Sequence, residues 1–395
     1  MLPAHFAIYL TSFCQLACSH CFLTRTGRRN REQLDLQNID RIIADAANHN
    51  VFMLVIAGGD PSLHPAFSTI LRLLRSKRIL PLISLTGVDV SNDLVEVLHS
   101  SGVTCVQVSL DGYDEQTNGK YRYPGTFSHI IQGIARFSGR GLKVNLAITA
   151  RRENLHCITR LLDLAQELGI FKVKIGMWVD SGGEDSSIAA LDERDIQELL
   201  VQCRLYQEQA KLGDWIIIPG YDVRSGSPIE AFSKYPPLVI ESNGNLRCTE
   251  FGEVFGHIKN ETVSQQYSLY CRRKKIEFLH ALVGRESLKY GVVTIKDAPG
   301  EKLRAGGAVY QDEQGFHILL ADSLSPFLRG FLALHEIGHL ALRELVLDPR
   351  RKPRATTETA INKWALDLIA NNLEPIFRTD LLRFGRRRPS SLSSC

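Results

Sequence analysis

Two groups of residues in this chain have the types and the spacing to do chemistry. The first is Cys14-Gln15-Leu16-Ala17-Cys18-Ser19-His20-Cys21. Three thiolates this close together, just after an apolar strand-like stretch, suit one corner of a cubic iron–sulfur cluster, which normally takes four thiolates. Three ligands leave one iron open to another molecule. The alternatives are three thiols without a partner, or a zinc knuckle, which needs a fourth ligand. His20 points away from such a knuckle if the loop wraps a cluster. The second group is His335-Glu336-Ile337-Gly338-His339, in the apolar segment 327–345. Histidines at i and i+4 share a helix face, so both imidazoles reach one metal. Glu336 then sits beside the open metal position, where it takes a proton from bound water. A third ligand comes from elsewhere: Glu358, with Asn362 one turn on to support it. Glu344 is on the histidines' own helix and points poorly. The plain alternative is two helix histidines with a chance glutamate between them.

These groups need elements to hold them. Up to about residue 220, strand-like and helix-like stretches alternate, the signature of an α/β architecture. Strands are expected at 6–10, 51–57, 80–85, 105–110, 142–148 and 171–179, with amphipathic helices at 36–47, 127–137 and 155–168. Six such strands with crossover helices predict a parallel sheet, open or curved into a partial barrel, whose site lies at the strands' C-terminal ends. Polar and glycine-rich clusters fall there: Cys14 to Cys21, Gly58-Gly59-Asp60-Pro61, Thr86-Gly87, Ser109-Leu110-Asp111-Gly112 and Asp180-Ser181-Gly182-Gly183. Gly58-Gly59 lets the backbone approach a ligand closely, and Asp60 offers an acceptor to a charged amine. Ser109 and Asp111 project from the fourth strand's end, and Arg122 beyond it can clamp a carboxylate. In most proteins such tetrads are only turn chemistry.

The pattern weakens over 221–275. A hairpin is expected at 238–247, turning on Asn243-Gly244 as a type I′ turn, with Cys248 and Cys271 following. It changes again near Ile276 to a helix, a hairpin at 308–321 turning near Gln314-Gly315, and two helices, a small α+β unit. The division expected is therefore 1–220, 221–275, 276–380 and a basic, disordered tail at 381–395. A chain of 395 residues has room for two or three domains. Nine cysteines, an odd number with three in one loop, are no disulfide framework. With no membrane-length apolar run and no visible signal peptide, a cytoplasmic location is expected. The net charge of +4 is too small to argue for nucleic acid. Basic runs at 350–354 and 386–388 read as solvated surface, with an acidic peptide partner left open.

Cys14-x3-Cys18-x2-Cys21, Gly58-Gly59-Asp60-Pro61 and Val108-Ser109-Leu110-Asp111-Gly112, taken in order, resemble the radical SAM superfamily. The likeness is greatest to the branch that modifies peptides and proteins and often carries a SPASM or twitch extension. Tyr121 to Phe127 and Leu168-Gly169 are similar to that branch too. The resemblance spans roughly the first 220 residues and implies a partial (β/α)6 TIM-like barrel. It implies that Cys14, Cys18 and Cys21 hold a [4Fe–4S] cluster whose open iron chelates S-adenosylmethionine. One electron, from a donor such as flavodoxin or ferredoxin, then yields a 5′-deoxyadenosyl radical that abstracts hydrogen. By motif, Gly58, Gly59 and Asp60 meet the methionine amino group, and Ser109 and Arg122 its carboxylate or the ribose. Asp60 stands where the family usually has Glu, and Thr86-Gly87 replaces Thr-Asn-Gly. Cys248 and Cys271, even with Cys203, fall short of an auxiliary cluster, so 221–275 is read as a degenerate extension.

The second motif has a likeness of its own. Residues 307–318, Phe331 to Leu334, the His335–His339 motif and Glu358 with Asn362-Lys363-Trp364-Ala365 resemble the ImmA/IrrE metallopeptidase family. The resemblance covers about 301–373. It implies a zincin-like domain with Zn2+ on His335, His339 and Glu358, and cleavage of a protein or peptide. Together the two halves predict a bifunctional maturation enzyme for a ribosomally made peptide. A cluster- or SAM-gated regulatory protease is one alternative. A radical enzyme for a small molecule or nucleic acid, with the last domain only docking, is another.

Overall fold

The computed structural model describes residues 2–29, 31–178, 190–225, 227–228, 237–249, 252–299, 303, 307–342 and 355–372, with backbone alone at 227–228, 275, 307, 355–358 and 370–372. The strand-end cluster at 180–183, Glu344, the basic runs and the tail at 381–395 lie outside these residues. Two compact units are present, one built from Met1–Glu230 and Pro237–Tyr267, the other chiefly from Ser268 onward.

Strand β1 (His5–Thr11) opens the first unit, followed by β2 (Met53–Gly58), β3 (Leu80–Leu85), β4 (Cys105–Ser109), β5 (Lys143–Ala150) and β6 (Lys172–Met177). The six expected strands are all present and all parallel. Each pairs with its neighbours in sequence, the singly wound order of a barrel rather than the reversed order of an open doubly wound sheet. Helices Leu36–Asn48, Phe67–Ser76, Asn92–Ser100, Phe127–Gly139 and Ile158–Glu167 make the crossovers. Each lays an apolar stripe on the sheet, as with Ile39, Ile42, Ile43 and Ala46 of the first. The helix expected at 155–168 starts as a 3-10 turn, Arg152–Cys157. Asn154 folds back there, accepting from Arg151 N at 2.8 Å and donating to Thr149 O at 3.0 Å.

A seventh short strand, β7 (Ile216–Ile217), lies parallel to β6; β8 (Tyr221–Asp222) and β9 (Ser227–Pro228) form a separate ribbon. The stretch read as a bridging segment then returns to the start of the chain. Strand β10 (Val239–Ile240) pairs parallel with β1, and β11 (Asn245–Arg247) and β12 (Val254–His257) continue antiparallel. The resulting ten-stranded sheet has edges at β12 and β7. The 238–247 hairpin forms as expected but not with a type I′ turn. Only Gly244 has positive φ (91°), and Gly244 N donates to Glu241 O while Glu241 N donates to Asn245 O. That is a type I turn closed by a glycine bulge, which asks for one left-handed residue rather than two.

Helix Val263–Lys289 runs unbroken through Ile276, where a pattern change was read; no Pro or Gly interrupts it between Val263 and Val283. The second unit holds the expected hairpin, β14 (Gly307–Asp312) and β15 (Gly315–Ala321). It also holds an unexpected strand, β13 (Val292–Ala298), parallel to β15, whose Val292-Val293-Thr294-Ile295 run carries the β-branched signal. One face of β15 (Ile318, Leu320) packs with Leu279, Leu282 and Val283, with Ala333, Leu334 and Ile337 of helix Pro326–Ala341, and with Ala365 and Ile369 of helix Ala355–Asn372. His317 alternates to the other face and ties the three strands together. It lies 2.8 Å from Asp312 Oδ1 and 2.8 Å from Thr294 Oγ1, and stacks on Tyr310. Among the described residues no helix is long and apolar enough to cross a membrane.

Leu334 is fully buried at the centre of this second core. Leu334→Ala should cost about 2–5 kcal/mol. Amide exchange at Ile318 and Leu320 should accelerate while Ile8 and Leu54 keep their protection; unchanged exchange in β15 would refute the assigned core.

Candidate active site

The cysteine loop has little regular structure of its own, so its neighbours fix it. Gly59 N donates to Thr11 O and Asp60 N to Phe13 O, each at 2.7 Å. A Cβ at Gly59 would sit 1.8 Å from Phe13 O, and one at Gly58, whose φ is +136°, 2.2 Å from Thr11 O. The close approach that Gly58-Gly59 permits is therefore first of all to the start of the cysteine loop itself. Both glycines still line the cavity beyond it.

Asp60 is 2% exposed and its carboxylate is turned into this scaffold. Oδ1 accepts from Ser62 N and Oγ, and Oδ2 from Thr86 N and Oγ1, with Gln15 Nε2 at 3.3 Å. Gln15 also donates to Thr86 Oγ1 at 2.9 Å. The side chain expected to meet an amine thus joins the cysteine loop to the ends of β2 and β3. Thr86, in the departure from Thr-Asn-Gly, is part of the same knot.

On the other side, Ser19 N donates to Tyr121 O at 3.1 Å, and His20 Nε2 lies 3.3 Å from Asp111 Oδ2. Asp111 also accepts from Arg122 Nε at 2.7 Å and from Thr149 N at 2.7 Å. Burial opposes both charges of the Asp111–Arg122 pair. The attraction wins: the carboxyl is held below its ordinary value and the guanidinium above its own. Burial pushes the His20 pKa down to about 4 despite Asp111, leaving the ring neutral. Arg29 Nη2 donates to Cys14 O at 2.9 Å. Glu241, 4% exposed, takes Arg28 on one oxygen at 2.8 Å and has Arg247 Nε 3.0 Å from the other.

The structure brings Cys14, Cys18 and Cys21 onto one cavity of about 370 Å3, together with Gly58, Gly59, Ser109 and Arg122. That volume falls within the range of about 300–1,000 Å3 typical of small-molecule sites. Burial pushes the Cys14 thiol up to about 11 and raises Cys18 as well, the latter opposed by Arg122. Thiols so placed ionise when a cation binds them, so proton release accompanies metal loading. Among the described residues no group of three or more His, Cys, Asp or Glu is arranged to hold a metal ion. A cubic cluster gives each thiolate a different corner, so its ligands need not converge on a point. In donor type, burial and adjoining space, the three cysteines fit a cluster with a ligand beside it. Ser84, Thr149, Met177 and Trp178 also line the cavity. Sequence reading passed over them, although their position at or just past strand ends was the signal. Cys203 is a core thiol, fully buried and pushed up to about 12 by that burial.

The second group sits in the second unit. His335, Glu336 and His339 are buried on helix Pro326–Ala341. The two imidazoles meet edge to face, 5.1 Å between centroids, and His335 Nδ1 is 3.0 Å from Asn362 Oδ1. That contact sets the tautomer, with the ring proton on Nδ1 facing the amide oxygen. Gly338 lets the next helix come close: a Cβ there would be 2.8 Å from Ile361 Cγ2. The Glu358 side chain lies outside the described residues. The described donors fit two ligands of a zinc site.

Residues 8–165 match the model of the radical SAM superfamily. The chain is 27% identical over 186 residues to an AdoMet-dependent heme synthase of Methanosarcina barkeri, covering 47% of this chain and 53% of that protein. It is 24% identical over 266 residues to the sporulation killing factor maturation protein SkfB of Bacillus subtilis, covering 67% and 64%. The chain thus spans less than two thirds of either relative. The fold is similar to that of Streptococcus suis SuiB bound to precursor peptide SuiA, with a TM-score of 0.58 and 19% identity over 67% of this chain and 65% of that one.

Asp111→Asn removes the negative charge facing the Arg122 guanidinium and sets an amide donor against either Arg122 Nε or Thr149 N. Leaving the buried guanidinium unpaired should cost about 3–5 kcal/mol, read as a lower urea midpoint, and Asp111→Asn/Arg122→Met should regain part of it. An unchanged midpoint in the single variant would count against the pair's role.

Proposed function

We propose that the radical SAM domain at residues 8–165 modifies a peptide substrate and that the second unit cleaves a peptide or protein. The observation that carries the first half is the single cavity shared by Cys14, Cys18, Cys21 and the strand-end residues Gly58, Gly59, Ser109 and Arg122. The cysteines would hold a [4Fe–4S] cluster, and the cavity beside them S-adenosylmethionine. When bound, these groups supply a carbon radical able to take hydrogen from an unactivated C–H bond. The chain's own residues do the rest. Gly58 and Gly59 present backbone at the cavity wall, Ser109 a hydroxyl and Arg122 a guanidinium already oriented by Asp111. Asp60 acts through Gln15 and Thr86 as a positioning residue for the cysteine loop. The likeness to SkfB, named as a peptide maturation protein, and to SuiB with its precursor peptide supports a peptide as the substrate. A one-electron donor such as flavodoxin or ferredoxin belongs to the same reading.

For the second half, His335 and His339 would hold zinc with Glu358 as third ligand. When bound, zinc would supply a water of lowered pKa. Glu336 would take a proton from it, and Asn362 lies 3.0 Å from His335 Nδ1, where it orients the ring. The buried pair of imidazoles with its orienting amide supports this reading.

Anaerobically purified protein should hold about four irons per chain; about eight would refute the reading of 221–275 as a degenerate extension. Cys14→Ala should abolish 5′-deoxyadenosine formation from S-adenosylmethionine and reductant, followed by mass spectrometry, and retained formation would refute the radical site. Glu336→Gln should keep its zinc, counted by atomic emission, while losing peptide cleavage. Cleavage at the wild-type rate would remove Glu336 from the mechanism.

A further inference from the structure

One cationic side chain beside the cavity has no role in the account so far. Arg151 follows the last residue of β5 with φ −138° and ψ 154°, so the strand's alternation continues through it. Val144, Leu146, Ile148 and Ala150 are buried on one face of β5, and Asn145, Ala147 and Thr149 take the other. Thr149 lines the cavity, and Arg151 is the next residue on its face, roughly 7 Å further along the strand direction. Its guanidinium carbon lies 5.0 Å from the ring centroid of Tyr121 and 5.6 Å from that of Trp178, itself a cavity wall. The side chain is 12% exposed, with Nη2 3.4 Å from Glu153 Oε2. Nε and Nη1 are buried and have no hydrogen-bond partner. Buried donors on a cation are costly to leave open, and a planar guanidinium resting against aromatic rings is pre-organised for a planar anion. Arg122, by contrast, already has its Nε on Asp111.

We propose that Arg151 is a carboxylate receptor beside this cavity, binding through the donors that Glu153 does not take, with Tyr121 and Trp178 against its guanidinium. This rests on the reading of the first unit given above, under which two carboxylates reach the strand ends. One belongs to S-adenosylmethionine; the other is an acidic side chain or chain terminus of the peptide. Arg151 stands beyond Thr149 and outside the cavity lining, which favours the peptide carboxylate.

The test uses full-length protein, anaerobically loaded with iron and sulfide, as wild type, Arg151→Ala, Arg151→Gln and Arg151→Lys. S-adenosylmethionine and its decarboxylated form are measured by equilibrium dialysis. N-acetylglutamate α-amide and N-acetylglutamine α-amide are measured by Trp178 emission in a Trp215→Phe/Trp364→Phe background. Arg151→Ala and Arg151→Gln should weaken the acetylglutamate amide by about tenfold to a hundredfold and leave its neutral partner unchanged, with Arg151→Lys regaining part. The same loss for S-adenosylmethionine, but not its decarboxylated form, supports the receptor and assigns the carboxylate to S-adenosylmethionine. Equal effects on the charged and neutral members of both pairs, or no preference for charge in the wild type, overturn it. A wild type that binds no S-adenosylmethionine would sink the reading of the domain, while the amide pair would still decide Arg151.

Discussion

The first unit depends on two backbones that touch. Thr11 and Phe13 present carbonyls to Gly59 N and Asp60 N, at a separation that only glycine at 58 and 59 allows. This contact converts the end of a regular strand into the anchor of an irregular loop carrying three thiols. Side chains then lock it: Asp60 gathers Ser62, Thr86 and Gln15 on one flank, and Asp111 gathers His20, Arg122 and Thr149 on the other. Two buried carboxylates, each saturated with donors, hold a loop whose own hydrogen bonds are few. Such saturated networks fix a unique geometry because any alternative leaves a buried charge unpaired.

Much of this was legible in the sequence. All six central strands appear where alternation and apolar runs put them, since a strand with one face fully buried and the other half-buried writes a period-two apolar signal. The three cysteines, Gly58, Gly59, Ser109 and Arg122 do come to one cavity. What was not legible were partnerships over long separations. Asp60 was read for a ligand because its charge and strand-end position are visible, whereas Gln15 and Thr86 as its partners are not. Strands β10 to β12 are two to four residues long. They look like a weak extension because the first of them, β10, finds its partner in β1, far back in the chain. The turn at Gly244 shows a smaller version of the same limit: Asn-Gly specifies a reversal, while its type follows from the bulge that the flanking strands accept.

The second unit teaches a complementary lesson. Its histidine motif is a local pattern, and the Asn362 contact joins residues 27 positions apart. The strand missed there, β13, is the one that pairs in parallel and so needs a partner, β15, that follows an intervening strand, β14.

Glu241 carries a consequence for how the chain comes to be built. It clamps Arg28, in the loop just after the cysteines, and its hairpin gives β1 its second neighbour. Synthesis runs from the N-terminus, so the cysteine loop is made before Glu241 and gains this support only 213 residues after Arg28 has emerged. The entropy of closing so long a loop grows slowly with length, but the delay does not shrink. Until then β1 is an open edge and the three thiols sit on an incompletely tethered segment. Loading of the loop and completion of the sheet are therefore coupled in time, with the thiols exposed during the interval when assembly machinery, or oxidant, can reach them.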